Sequence, residues 1–129
     1  NEASMSQHPI NLGVRFILEM AGLIAMGMWG WRQGEGVLRF ALALGVPLVA
    51  AALWGTFRVP GDTSSAGSAP VPVSGFVRLL LELVFFDFAA WCLFTVRPVY
   101  GWVFAIVVLI HYAVSYDRVR WLLSGPRRV

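Results

Sequence analysis

Apolar residues fill four long stretches of this chain, and polar residues collect between them. Residues 40–57 and 99–116 each run 18 positions without Asp, Glu, Lys or Arg. At that length a membrane-crossing helix is a better reading than a buried core helix. Residues 12–31 and 76–96 are equally long and apolar but carry a few charges. Four crossing helices are therefore expected. WRQGEG at residues 31–36 and the dipeptide Arg97-Pro98 are tight polar turns, so the helices pair as two hairpins, residues 11–57 and 76–123. Residues 58–75, RVPGDTSSAGSAPVPVSG, are rich in Pro, Gly, Ser and Ala. They have nothing to bury, and a linker outside the membrane is expected there. Residues 124–129 form a tail. Pro47 falls inside the second apolar stretch, where a kink is tolerated if neighbours satisfy the freed carbonyl.

The charges inside the apolar stretches repeat. VRFILEM at residues 14–20 places Arg15 and Glu19 four apart, and VRLLLEL at residues 77–83 places Arg78 and Glu82 in the same register 63 positions later. Charges in hydrocarbon are costly, so a matched recurrence points to a duplicated unit with a shared purpose. The fold class expected is all-α: an integral membrane four-helix bundle made of two tandem helical hairpins related as a parallel internal repeat.

Composition agrees. The 129 residues are 58% hydrophobic and only 13% charged, with a mean hydropathy of +0.71, far from a soluble domain in which about a quarter of residues are charged. The first apolar run is too long for a signal-peptide core and another follows at once, so no cleaved leader is expected. The four residues NEAS before Met5 read as a tag remnant, and residues 1–10 as a tail with no functional role, His8 included. All ten basic residues are Arg. If both termini share one side, that side holds Arg15, Arg58, Arg78, Arg118, Arg120, Arg127 and Arg128, and the other holds Arg32, Arg39 and Arg97. This seven-to-three split places the termini and the linker in the cytoplasm, in a multi-pass protein of the inner (plasma) membrane. The net charge of +3 is this bias and not a nucleic-acid patch, because the arginines flank the spans without exposed aromatics between them. Cys92 stands alone, which excludes an internal disulfide and a multi-thiolate metal site.

NLGVRFILEMAGLIAMGMWGWRQGEG, FALALGVPLVAAALWGTFRVPGD and VRLLLELVFFDFAAWCL together resemble the YrdB-like family of small four-span bacterial membrane proteins, whose function is uncharacterised. The resemblance runs from Asn11 to Leu123 and rests on the N-L-x-x-R-F-x-L-E start, the P-L-x-A-A-x-x-W-G block and the R-L-L-L-E start. It implies a four-helix membrane fold. The long Ser and Ala linker departs from the family pattern.

Residues four apart share a helix face, roughly 6 Å from one another. Arg before Glu is the poorer order for a pair within one helix, which makes pairing across helices attractive. With two spans between the repeats, the first and third run in the same direction. Arg15 then lies level with Arg78 and Glu19 with Glu82, and a four-charge cluster follows, Arg15 to Glu82 and Arg78 to Glu19. Across the Arg97-Pro98 turn, residues whose numbers sum to about 197 lie level. Asp87 is thereby set beside His111, and Glu82 beside Ser115 and Tyr116. In the fourth span His111, Ser115, Arg118 and Leu122 form one stripe, with Tyr112 and Tyr116 adjoining it. Asp87 lies about 140° around its helix from Glu82, so each needs its own partner.

The candidate binding residues are Arg15, Glu19, Arg78, Glu82, Asp87, His111, Tyr112 and Tyr116. Two readings stay open. In one, two carboxylates at equal depth with a nearby His form a site for a small cation or proton in a transporter or channel. In the other, the charges only fix helix packing in a non-catalytic membrane subunit or scaffold. A lipid-active enzyme is disfavoured for want of a catalytic motif or a soluble loop to hold one. No cofactor and no metal is expected: one intramembrane His and scattered methionines do not make a haem or transition-metal site. Membrane lipids are the expected partners, nucleic acid is not, and a homo-oligomer is open.

Overall fold

Local chemistry sets the helix boundaries. In the computed structural model, which describes residues 9–60 and 70–124, the chain is helical throughout apart from one minimal strand pair. Helix α1 spans Pro9–Gln33 and α2 spans Val37–Thr56. Between them Gly36 takes a φ of 59°, the left-handed region open to glycine. Helix α3, Gly75–Val96, starts where the Ser74 hydroxyl accepts from the Val77 N–H at 3.3 Å, an N-cap of the usual kind. Helix α4, Pro98–Val114, opens with Pro at its first position, where the missing N–H costs nothing. Helix α5 spans Tyr116–Leu123.

Helices α1, α2 and α3 are each long and apolar enough to cross a membrane. The expected fourth span is not one straight helix. It breaks at Ser115, and α4 and α5 meet at a bend of 72°, so they make a fourth crossing only if the bent pair counts as one. The strong amphipathic character of YDRVRWLL explains the turn. A helix with Asp117 and Arg120 on its outer side and Arg118 and Leu122 buried on the inner one gains by turning along a surface instead of continuing into hydrocarbon.

The linker boundaries also shift. Phe57–Arg58 (β1) and Val71–Pro72 (β2) pair as two parallel strands, and the Val73 N–H donates to the Arg58 carbonyl at 3.0 Å. The two ends of the linker are thus tied together, while residues 61–69 lie outside the described residues, as do the NEAS stretch, Met5, His8 and residues 125–129. Pro9 and Ile10, expected in the N-terminal tail, already belong to α1.

The helices pack closely where side chains are small. At Gly30 a Cβ would run into the Leu42 backbone, so α1 and α2 touch almost backbone to backbone. Gly22 faces Phe85 and Ala89, and Trp29 meets Phe88 and Trp91, so α1 and α3 run side by side in the same direction. Gly101 of α4 lies against the Phe94 ring. Leu18, Ala25 and Met26 of α1, Phe85, Phe86, Ala89 and Cys92 of α3, and Phe104 and Val108 of α4 make the core. Helix α2 adds no fully buried residue. The outer surfaces carry exposed Leu, Ile, Val, Phe and Trp along every long helix. Such a surface suits lipid, not water.

Helix α5 returns to the bundle through Leu122, which is fully buried against Gly75. A Cβ at position 75 would overlap the Leu122 backbone. Gly75→Ala is therefore expected to lift α5 off α3 and to cost about 1–3 kcal/mol by overpacking. Faster proteolysis after Tyr116 or Arg118 would reveal the displacement, and an unchanged digestion pattern would contradict the contact.

Candidate functional site

Glu82 is the centre of the charged constellation. It sits two turns into α3 and its side chain is fully buried. Its Oε2 takes the Arg78 Nε at 2.9 Å and the Arg118 Nη2 at 2.6 Å. Its Oε1 takes the Tyr112 hydroxyl at 2.7 Å and the Arg118 Nη1 at 2.9 Å. Arg118 is thus bidentate, the strongest geometry available to an arginine and a carboxylate. Arg15 crosses from α1, its Nη2 2.9 Å from Oε2. Its nitrogens are close enough to attract but not aligned as hydrogen bonds, so its contribution is Coulombic. One carboxylate therefore joins α1, α3, α4 and α5.

Arg78 does a second task. Its Nη1 donates to the Trp54 carbonyl and, at 2.8 Å, to the Phe57 carbonyl. The last carbonyls of a helix have no partner within it, and here a guanidinium from α3 satisfies two of them at the end of α2. The Trp54 ring lies against both arginines, 4.5 Å from the Arg78 guanidinium carbon and 5.2 Å from that of Arg15, in cation–π range. On its other side Trp54 helps line an apolar cleft of about 460 Å³ between α2 and α3, with Met26 of α1 among its walls.

The expected cluster of four charges is half realised. Arg15 pairs with Glu82 across α1 and α3 as the repeat suggested. The second cross pair, Arg78 to Glu19, gives way to Arg78 with Glu82 and the α2 carbonyls. Glu19 lies at the edge, with 18% of its side chain exposed and Arg15 at 3.2 Å. The symmetry is broken because only the second hairpin supplies Tyr112 and Arg118.

His111 is buried but does not meet Asp87. Its Nδ1 lies 3.1 Å from Asn11 Oδ1, and the Asn11 amide donates to Ser115 Oγ at 2.7 Å. With the amide nitrogen turned toward Ser115, the amide oxygen faces the ring and is assigned the Nδ1 proton, which in a neutral ring leaves the lone pair on Nε2. That Nε2 is buried without a partner. Asp87 lies exposed on the outside of α3. Matching levels across the hairpin gave depth but not direction, and the 140° between Glu82 and Asp87 turns one inward and the other out. Tyr116 is also corrected: the bend at Ser115 swings it outward, where it is exposed under the Arg120 guanidinium. Tyr112 stays in the cluster. Among the described residues no group of three or more His, Cys, Asp or Glu side chains converges as a metal site would.

Sequence reasoning missed Asn11 and Trp54. Asn11 is the one amide at the head of the first apolar stretch, a polar residue that must find partners once buried. Trp54 lies in the uncharged stretch 40–57, where nothing in the sequence ties it to the arginines.

Residues 13–109 match a family described as a protein of unknown function, DUF2568. The chain belongs to that family. The match includes Arg15, Glu19, Arg78, Glu82 and Asp87 and ends before His111 and Arg118. The chain is also 36% identical over 116 residues to the uncharacterised protein YrdB of Bacillus subtilis (strain 168), covering 88% of this chain and 94% of that relative. No solved structure matches. Family membership fixes kinship but assigns no activity.

Proposed function

We propose that this DUF2568 protein is a non-catalytic subunit or scaffold of the plasma membrane. In this reading two tandem hairpins form a four-span bundle with cytoplasmic termini, and the buried charges hold the helices in register. The observation that carries it is the saturation of Glu82. Both oxygens are taken by arginine and tyrosine donors, and three guanidinium groups face two carboxylates. A cation finds no open lone pair there and meets a positive surrounding, whereas a fixed network of this kind supports unique packing. Arg118 also fastens the surface helix α5 to the core.

A second reading, a proton pathway, has one observation in its favour: the buried Nε2 of His111 has no partner and retains the lone pair a relay needs. Flux separates the two. Purified protein in liposomes is expected to conduct sodium, potassium and protons no faster than protein-free vesicles. Proton flux above that background and lost in His111→Ala, with folding intact, would favour the relay and defeat the scaffold reading.

A further inference from the structure

The outward face of α3 contains an acid where a lipid-facing helix should have none. Asp87 is exposed, and it makes no hydrogen bond or ion pair with any described residue. It lies 12 residues after Gly75 and 9 before Val96, which is about 18 Å and 14 Å from the two ends of the helix. This is close to the middle of a bilayer, and the inference rests on the reading that α3 crosses one. Hydrocarbon offers no hydrogen bond to a carboxyl group, so an acid at this depth points to a protein partner. Among the described residues no basic side chain stands on an exposed face at that depth; His111 is at a similar level but buried.

Around Asp87 the face is apolar: Leu80 and Val84 are exposed along the same stripe. One turn on, Trp91 is half exposed, its ring held by an edge contact to Trp29 at 5.7 Å and a stack on Phe88 at 6.1 Å. The indole N–H is a donor without an acceptor among the described residues. Acceptor and donor thus stand one turn apart on a single outward stripe. Such a face is self-complementary under a twofold axis along the membrane normal, because every contact is then made twice.

We infer that a second copy of this chain packs on this face, α3 beside α3 in the same direction, with Asp87 of each copy accepting from the Trp91 indole of the other. Leu80 and Val84 fill the seam, and polar side chains hydrogen-bonding across helices supply the association that lipid cannot.

Single-molecule photobleaching of labelled protein in vesicles, at several protein-to-lipid ratios, tests this. Wild type is expected to dimerise. Asp87→Leu is expected to raise the dissociation constant at least tenfold, Trp91→Phe to weaken it in the same direction, and Asp87→Asn, which keeps an acceptor, to retain the dimer. Replacing an exposed acid by leucine does not threaten folding in lipid. In a Cys92→Ala background, mild oxidation should cross-link Val84→Cys and leave Ile110→Cys, exposed on α4, unlinked. Wild type that stays monomeric, or a dimer indifferent to Asp87→Leu, overturns the proposal. So does a monomer that associates with a synthetic polyleucine helix bearing a central lysine, since the face would then serve a basic helix of another protein. Loss of the protein from carbonate-washed membranes would instead defeat the membrane reading itself.

Discussion

Glu82→Ala is expected to destabilise the protein by roughly 3–5 kcal/mol, the usual consequence of leaving a buried charge without its partner. Here Arg15, Arg78 and Arg118 all lose their common carboxylate inside the bundle, and the Tyr112 hydroxyl loses its acceptor. Glu19→Ala is the informative contrast. Glu19 keeps partial exposure and receives only Arg15 at 3.2 Å, and Arg15 retains Glu82, so a loss of no more than about 1 kcal/mol is expected. Cys92 is fully buried and is the chain's single cysteine, so a thiol-reactive dye reports unfolding of both variants in one detergent. Equal shifts in the two melting curves would show that the load is shared and not centred on Glu82.

Topology is the second large effect, because it is close to all-or-none. Arg15, Arg58, Arg78, Arg118 and Arg120 gather at one end of the bundle with Glu19, Glu82 and Asp117, five bases to three acids among the described residues. If the helices cross a membrane as proposed, the positive-inside bias predicts that end to be cytoplasmic. A fluorescent protein fused after Val129 is expected to glow, and alkaline phosphatase at the same position to stay inactive. Phosphatase activity there would mean inverted insertion, and activity from both fusions would mean dual insertion.

The helical fold was legible because apolar length and polar turns are one-dimensional signals. The Arg15 and Glu82 contact was legible too, since a repeat of equal register forces equal depth on two parallel helices. The stripe of His111, Ser115, Arg118 and Leu122 is buried as its spacing implied, yet it runs over a break and not along one helix. That break was hidden because residues 99–116 contain no charge to stop a span, and the reason to turn lies downstream in the amphipathic α5. Asp87 and Tyr116 were misplaced because depth was read from numbering without azimuth: the roughly 140° between Glu82 and Asp87 around α3 turns Asp87 outward, and the bend at Ser115 does the same to Tyr116. The end of α2 was illegible for another reason. Its partner, the Arg78 guanidinium, binds backbone carbonyls, and every residue has one of those.

A double-mutant cycle between Arg15 and Glu82 tests most directly whether the ionic centre fastens α1 to α3. Arg15→Met, Glu82→Gln and the double variant are unfolded alongside wild type in one detergent. A coupling of about 1–3 kcal/mol, in the range for residues sharing one charged network, is the expected result. Additive effects, with coupling within about 0.5 kcal/mol of zero as for independent sites, would contradict the contact on which the bundle is argued to depend.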